Sequence, residues 1–128
     1  MNKNQETIFA LSSPPGRSAL SVIRISGEKT LWAVGKMTKN KVKIFKHRKS
    51  YLLNIYNINN YLIDKVVLVF YNSPHSYTGE KLVEITTHGN PIIVDVVFDT
   101  LVSLGLRLAN PGEFTSRAFH NKKIDLVQ

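Results

Sequence analysis

Residues 50–72 read "SYLLNIYNINNYLIDKVVLVFYN", and the way they pair decides the fold. Two runs rich in aliphatic and aromatic residues flank Asn59-Asn60, which tolerates the positive φ of a tight reversal, so the stretch predicts a β-hairpin. The second run contains "VVLVF", apolar at every position. That pattern predicts a central strand covered on both faces.

Working outward, Thr7 to Leu11 and Leu20 to Ser26 read as strands separated by the rigid loop "SSPPGR", where prolines fix the backbone and Gly16 allows a turn. "EKTLWAVGKM" carries helical spacing at Leu31, Val34 and Met37, with Gly35 counting against it. From Lys36 to Lys49 come six lysines, His47 and Arg48. Val42, Ile44 and Phe45 alternate there as in an exposed strand or loop. Downstream of the hairpin, the loop "SPHSYTGE" leads to a strand "KLVEITTHG", and "PIIVDVVFDTLVSLG" predicts a helix opened by proline and stopped near Gly105. A short strand "LRLA" precedes "NPGEFTSRAF", which spells a helix start: Asn110 as cap, Pro111 at the first position and Glu113 reaching back as in a capping box. Phe114, Ala118 and Phe119 then face the core, while Arg117, Asn121, Lys122 and Lys123 emerge elsewhere. The resulting order predicts an α+β domain with a mixed, largely antiparallel sheet and about three helices.

With 128 residues, 43% of them hydrophobic, the chain suffices for one domain with a real core. Seventeen Lys and Arg against nine Asp and Glu give a formal charge of +8, which favours anionic partners. There is no cysteine, so thiol chemistry, disulfides and thiolate metal sites are excluded within this chain, and a reducing cytoplasm is expected. No window approaches the roughly eighteen apolar residues of a membrane span. The chain closes on "KKIDLVQ", which opens an amphipathic segment without a stop signal. We expect residues 1–120 to form the domain and 121–128 to begin a segment leading into a further region.

Two charges stand out. Arg24 sits mid-strand between Ile23 and Ile25, where burial is costly without a partner. Glu84 falls on one strand face with Leu82, Thr86 and His88. Either the two pair across the sheet, or they face a ligand cleft. His75, His88 and His120 lack metal-ligand spacing, no GxSxG elbow supports a serine nucleophile, and "SGEKT" lacks the first glycine of a phosphate loop. The basic run 36–49 offers an RNA backbone track, with Phe45 and Tyr51 as stacking surfaces.

"SSPPGRSALSVIRISG", "SYTGEKLVEITTHGNP" and "NPGEFTSRAFHNKKIDLVQ", in that order, resemble the N-terminal domain of the tRNA-modification GTPase family MnmE, also called TrmE. The resemblance spans nearly the whole chain and is weakest over residues 30–60. It implies a fold similar to the tetrahydrofolate-binding domain of the glycine-cleavage T-protein, a homodimer, and 5-formyltetrahydrofolate or a related folate bound near the dimer interface. The family protein continues into a helical domain with an inserted GTPase, where GTP, potassium and magnesium act. With an FAD-dependent MnmG/GidA-type partner, it modifies carbon 5 of the tRNA wobble uridine. The resemblance carries three folate contacts onto Arg24, Glu84 and Lys123, with no catalytic residue and no metal ligand in this chain. A pterin N–H and amino group suit a carboxylate such as Glu84, and the anionic tail of folate suits Arg24 and Lys123. Departures from the family pattern are "SAL" after PPGR, "HGN" for HGG, and His120 after RAF. Ser18 and Asn90 thus fall where close loop packing is expected. Two other readings stand beside this one: an RNA-binding or assembly module with a vestigial folate site, and a stand-alone folate-dependent one-carbon transferase.

Overall fold

The computed structural model describes residues 6–14, 16, 18–40 and 45–126, with side chains as far as Lys122. Nine elements follow in chain order: β1 (Ile8–Leu11), β2 (Leu20–Ser26), α1 (Thr30–Met37), β3 (Ser50–Tyr56), β4 (Leu62–Tyr71), β5 (Leu82–His88), α2 (Pro91–Ser103), β6 (Arg107–Leu108) and α3 (Glu113–Leu126). They form the expected α+β arrangement. One six-stranded sheet has the order β3-β4-β5-β2-β1-β6, antiparallel except for the β1/β6 pair.

The hairpin forms as its sequence predicts. Asn60 has φ +66°, and the Asn57 side-chain oxygen accepts from the backbone N–H groups of Asn59 and Tyr61. Alternation then sorts the sheet into two faces. Phe9, Ile23, Ile25, Val66, Leu68, Phe70, Val83 and Ile85 point to one face, where Ala33, Val34 and Met37 of α1 and Val94, Val97 and Leu101 of α2 close a single core. Gly35 in α1 is no breaker. The Asn40 N–H donates to its carbonyl at 2.7 Å, and a β-carbon on Gly35 would meet Asn40 Oδ1 at 2.9 Å, so the glycine makes room for the turn that ends the helix.

Among the described residues the second face is only half covered, which corrects the expectation for "VVLVF". Leu82, Ser26 and Ile8 lie in one cross-strand row and are fully buried. Ser26 Oγ bonds Thr78 and Glu80 of the loop between β4 and β5, and Glu80 accepts from Arg117 of α3, so loop and helix lie over this row. Two rows away, Leu52, Val67, Thr86 and Val22 are cross-strand neighbours, with Leu52 63% and Val67 40% exposed. An apolar run reports that a strand can be covered twice, not that its own chain does the covering.

The unusual loop residues are accommodated. Asn90 caps α2 by accepting from the Ile92 N–H at 2.9 Å. Ser18 lies against Gly89, where an added β-carbon would stand 1.8 Å from the Ser18 carbonyl oxygen. The close packing of this loop therefore rests on Gly89, which has no room for a side chain. Residues 41–44, including Val42 and Ile44, lie outside the described residues. Phe45 is buried edge-on against Tyr51, with ring centroids 5.2 Å apart, so the pair serves the core rather than stacking on bases.

Candidate functional site

Arg24 and Glu84 are direct cross-strand partners between β2 and β5. Arg24 Nε donates to Glu84 Oε2 at 2.7 Å, with the side chains 32% and 23% exposed. The pair lies in the row between the covered and the open halves of the second face. Tyr71, at the end of β4, directs its hydroxyl to Glu84 Oε1 at 3.4 Å. Burial, then the Glu84 charge and this hydrogen bond, raise the phenol above its usual range and keep it a donor. The Arg24 guanidinium carbon stands 5.2 Å from the centroid of the Tyr77 ring, and Lys122 Nζ approaches the same ring at 5.7 Å. Among the described residues, the terminal nitrogens of Arg24 make no hydrogen bond. A half-screened Arg–Glu pair thus keeps donors and a weakly engaged acceptor beside two aromatic rings.

A cleft of about 460 Å3 adjoins the pair, lined by His47, Arg48, Tyr71, His75, Tyr77 and Lys122 among others. Among the described residues, its walls carry cations and phenol rings and no carboxylate. That combination suits an anionic, aromatic small molecule. Lys123 belongs to α3, but its side chain lies outside the described residues. The structure therefore brings Arg24 and Glu84 together and adds Tyr71, Tyr77 and Lys122, which the sequence reasoning did not select. A tyrosine inside "SYTGE" was the available signal.

What holds the cleft wall is an ion-pair ladder. Glu113 accepts from Arg107 through both oxygens, at 2.9 and 2.7 Å, and from the Asn110 N–H at 2.9 Å. Arg117, 6% exposed, bridges Glu113 at 3.3 Å and Glu80 at 3.1 Å. The bidentate Arg107 contact, reinforced by the backbone bond and by Arg117, lowers the Glu113 carboxyl from 4.5 to about 2 against the opposing effect of burial. Asn121 Nδ2 then donates to the Thr78 carbonyl, and the Tyr77 hydroxyl meets Thr115 Oγ1 at 3.1 Å. Of the predicted capping box, only the bond from the Asn110 N–H back to Glu113 forms, and two further expectations for this region change. Gly112 has φ +77°, so the helix begins at Glu113 rather than Pro111. Of the three predicted core residues, Ala118 is buried, Phe114 only partly so, and Phe119 is exposed, while Arg117 turns inward. Arg117 displaces Phe119 from the covered face because Glu80 and Glu113 lie there to receive its charge.

Histidines play no common role. His88 Nδ1 meets Asp64 at 2.9 Å, His75 lines the cleft, and His120 is exposed on α3. Among the described residues, no group of three His, Asp or Glu side chains is arranged to hold a metal ion. Nor is any described helix long and apolar enough to cross a membrane.

A mixed α+β sheet with helices on one face, and a polar pair at the edge of a loop-and-helix cover on the other, defines an α+β domain with a polar cleft on its second face. The family described as GTP-binding protein TrmE N-terminus matches residues 7–123, and the chain belongs to it. It is 47% identical to a tRNA modification GTPase MnmE of Fervidobacterium nodosum, over 99% of this chain and 28% of that protein. Similar proteins of the same description from Francisella philomiragia and Aquifex aeolicus are 45% and 44% identical, each over 97% of this chain and 27% and 28% of theirs. The chain thus spans little more than a quarter of the length of these curated relatives.

Proposed function

We propose that this chain is the folate-binding, homodimerising module of a tRNA-modifying GTPase, and that Arg24, Glu84 and Lys123 hold the folate. The observation that carries the reading is the Arg24–Glu84 pair, half-screened beside Tyr71 and Tyr77, two residues that also line a cationic cleft. The residues present fit such a ligand. A carboxylate with one loosely engaged oxygen can accept the paired N–H groups of a pterin, and the uncommitted guanidinium nitrogens can donate to carboxylate or formyl oxygens. Tyr71 fixes the orientation of the Glu84 carboxylate, and the Glu113–Arg117–Glu80 ladder positions the Tyr77 wall.

Folate supplies a one-carbon unit when bound; this chain binds and orients it and is not expected to complete a reaction alone. In the whole protein, GTP, potassium and magnesium act elsewhere, and an FAD-dependent MnmG/GidA-type partner and tRNA join in modifying carbon 5 of the wobble uridine in the cytoplasm. The apolar row Leu52, Val67 and Val22, on the same face as the pair, supports a second copy seated over the open half.

Titration with 5-formyltetrahydrofolate by calorimetry tests the reading. About one folate per protomer is expected. Glu84→Gln should weaken binding by roughly tenfold or more, the scale of a lost charge-assisted hydrogen bond, and Arg24→Ala should do the same. Undiminished affinity in both variants, or no binding by the folded dimer, would remove the assignment.

A further inference from the structure

On the helical side of the sheet lies an alternating row of cations and aromatic rings. Trp32, the only tryptophan in the chain, is 48% exposed on α1. Lys29 and Lys36 place their ammonium groups 6.0 and 5.9 Å from its ring centroid. Lys36 also lines a cleft of about 330 Å3, together with Tyr56, Asn57, Ile58 and Asn60 of the hairpin end. Beyond α1, Lys39 adopts φ +57°. Its ammonium stands 3.8 Å from the Tyr56 ring centroid. The order is therefore Lys29, Trp32, Lys36, Tyr56, Lys39, with two amide side chains at the cleft and no carboxylate among its lining residues.

We propose that this row binds single-stranded RNA. Trp32 is half exposed with two ammonium groups over its ring, and when these turn to phosphates the ring face is left to a base. Unpaired bases supply matching π-faces, and the phosphates between them supply the charge. One base stacks on Trp32. Its neighbour enters the cleft beside Tyr56, where the Asn60 amide and the Asn57 amide nitrogen can meet base edges, and the lysines follow the backbone between them. A duplex hides its base faces and offers this surface only phosphates. The row is separate from the Arg24–Glu84 pair and does not rest on the folate reading.

Trp32 reports on its own occupancy. Titrating the 128-residue chain with a short oligouridylate should quench the tryptophan emission saturably, with affinity falling steeply as salt rises. Labelled oligouridylate, followed by anisotropy, should bind roughly tenfold more weakly to Trp32→Ala and to Tyr56→Ala. The double variant Lys36→Gln/Lys39→Gln, confined to exposed charges, should also weaken binding and flatten the salt dependence. Lys65→Gln/Lys81→Gln removes the same charge elsewhere and should do neither. The proposal is overturned by an unquenched Trp32 at saturating RNA, by equal weakening in the two lysine pairs, or by duplex RNA binding as tightly as the single strand.

Discussion

Glu113, the first residue of its helix, accepts from the Asn110 N–H and neutralises two arginines from different directions. Its carboxyl is lowered from 4.5 to about 2. A depressed folded value means that the stabilisation is fully present above about pH 4.5 and is lost as pH falls toward about 2. Glu113→Gln should therefore cost on the order of 2–3 kcal/mol at neutral pH. The gap between variant and parent should close as urea denaturation is repeated at progressively lower pH through that window. A gap that stays constant with pH would place the cost in packing instead. From the sequence the bond from the Asn110 N–H to Glu113 was legible, since it spans three neighbours, although Asn110 does not cap the helix, which begins at Glu113. Its partners Arg107 and Arg117 required the fold.

At the scale of elements, α3 and the loop between β4 and β5 behave as one cover because Arg117 ties them together. Removing the guanidinium leaves Glu80 and Glu113 poorly compensated, so Arg117→Ala should destabilise the chain by about 3 kcal/mol. Amide exchange should accelerate first in α3 and in residues 76–81. Uniform acceleration across the sheet would mean that the ladder supports the whole fold rather than the cover. Phe114 is only partly buried and stands outside the main core, so it is a lesser anchor than its place in "PGEFT" suggests. The inward turn of Arg117 was hidden for a physical reason. Apolar spacing places Phe114, Ala118 and Phe119 inward, whereas the carboxylates of Glu80 and Glu113 draw Arg117 to the covered face, and Glu80 comes from a distant loop.

For the whole molecule, the decisive feature is a sheet closed by helices on one face and half closed on the other. The Arg24–Glu84 pair lies on the boundary, so whatever covers the open half also shapes the ligand mouth. If a second copy does so, Leu52→Asp should weaken self-association in sedimentation equilibrium by roughly tenfold or more while the melting temperature of the monomer changes little, because Leu52 is already 63% exposed. Unchanged association would move the dimer contact to another surface.

The sequence by itself determined the strands, the helices and their order, because apolar period, turn residues and caps are local and repeat within each element. It also brought Arg24 and Glu84 forward, because a charge in a strand interior needs a partner wherever the strand lies. Only the tertiary structure decided that the two are cross-strand neighbours, that Tyr71, Tyr77 and Lys122 surround them, and that one sheet face stays half open. Those facts depend on register and on which element covers which row. Such distances between residues remote in the chain are set when the sheet pairs and the helices dock, and no window of neighbouring residues encodes them.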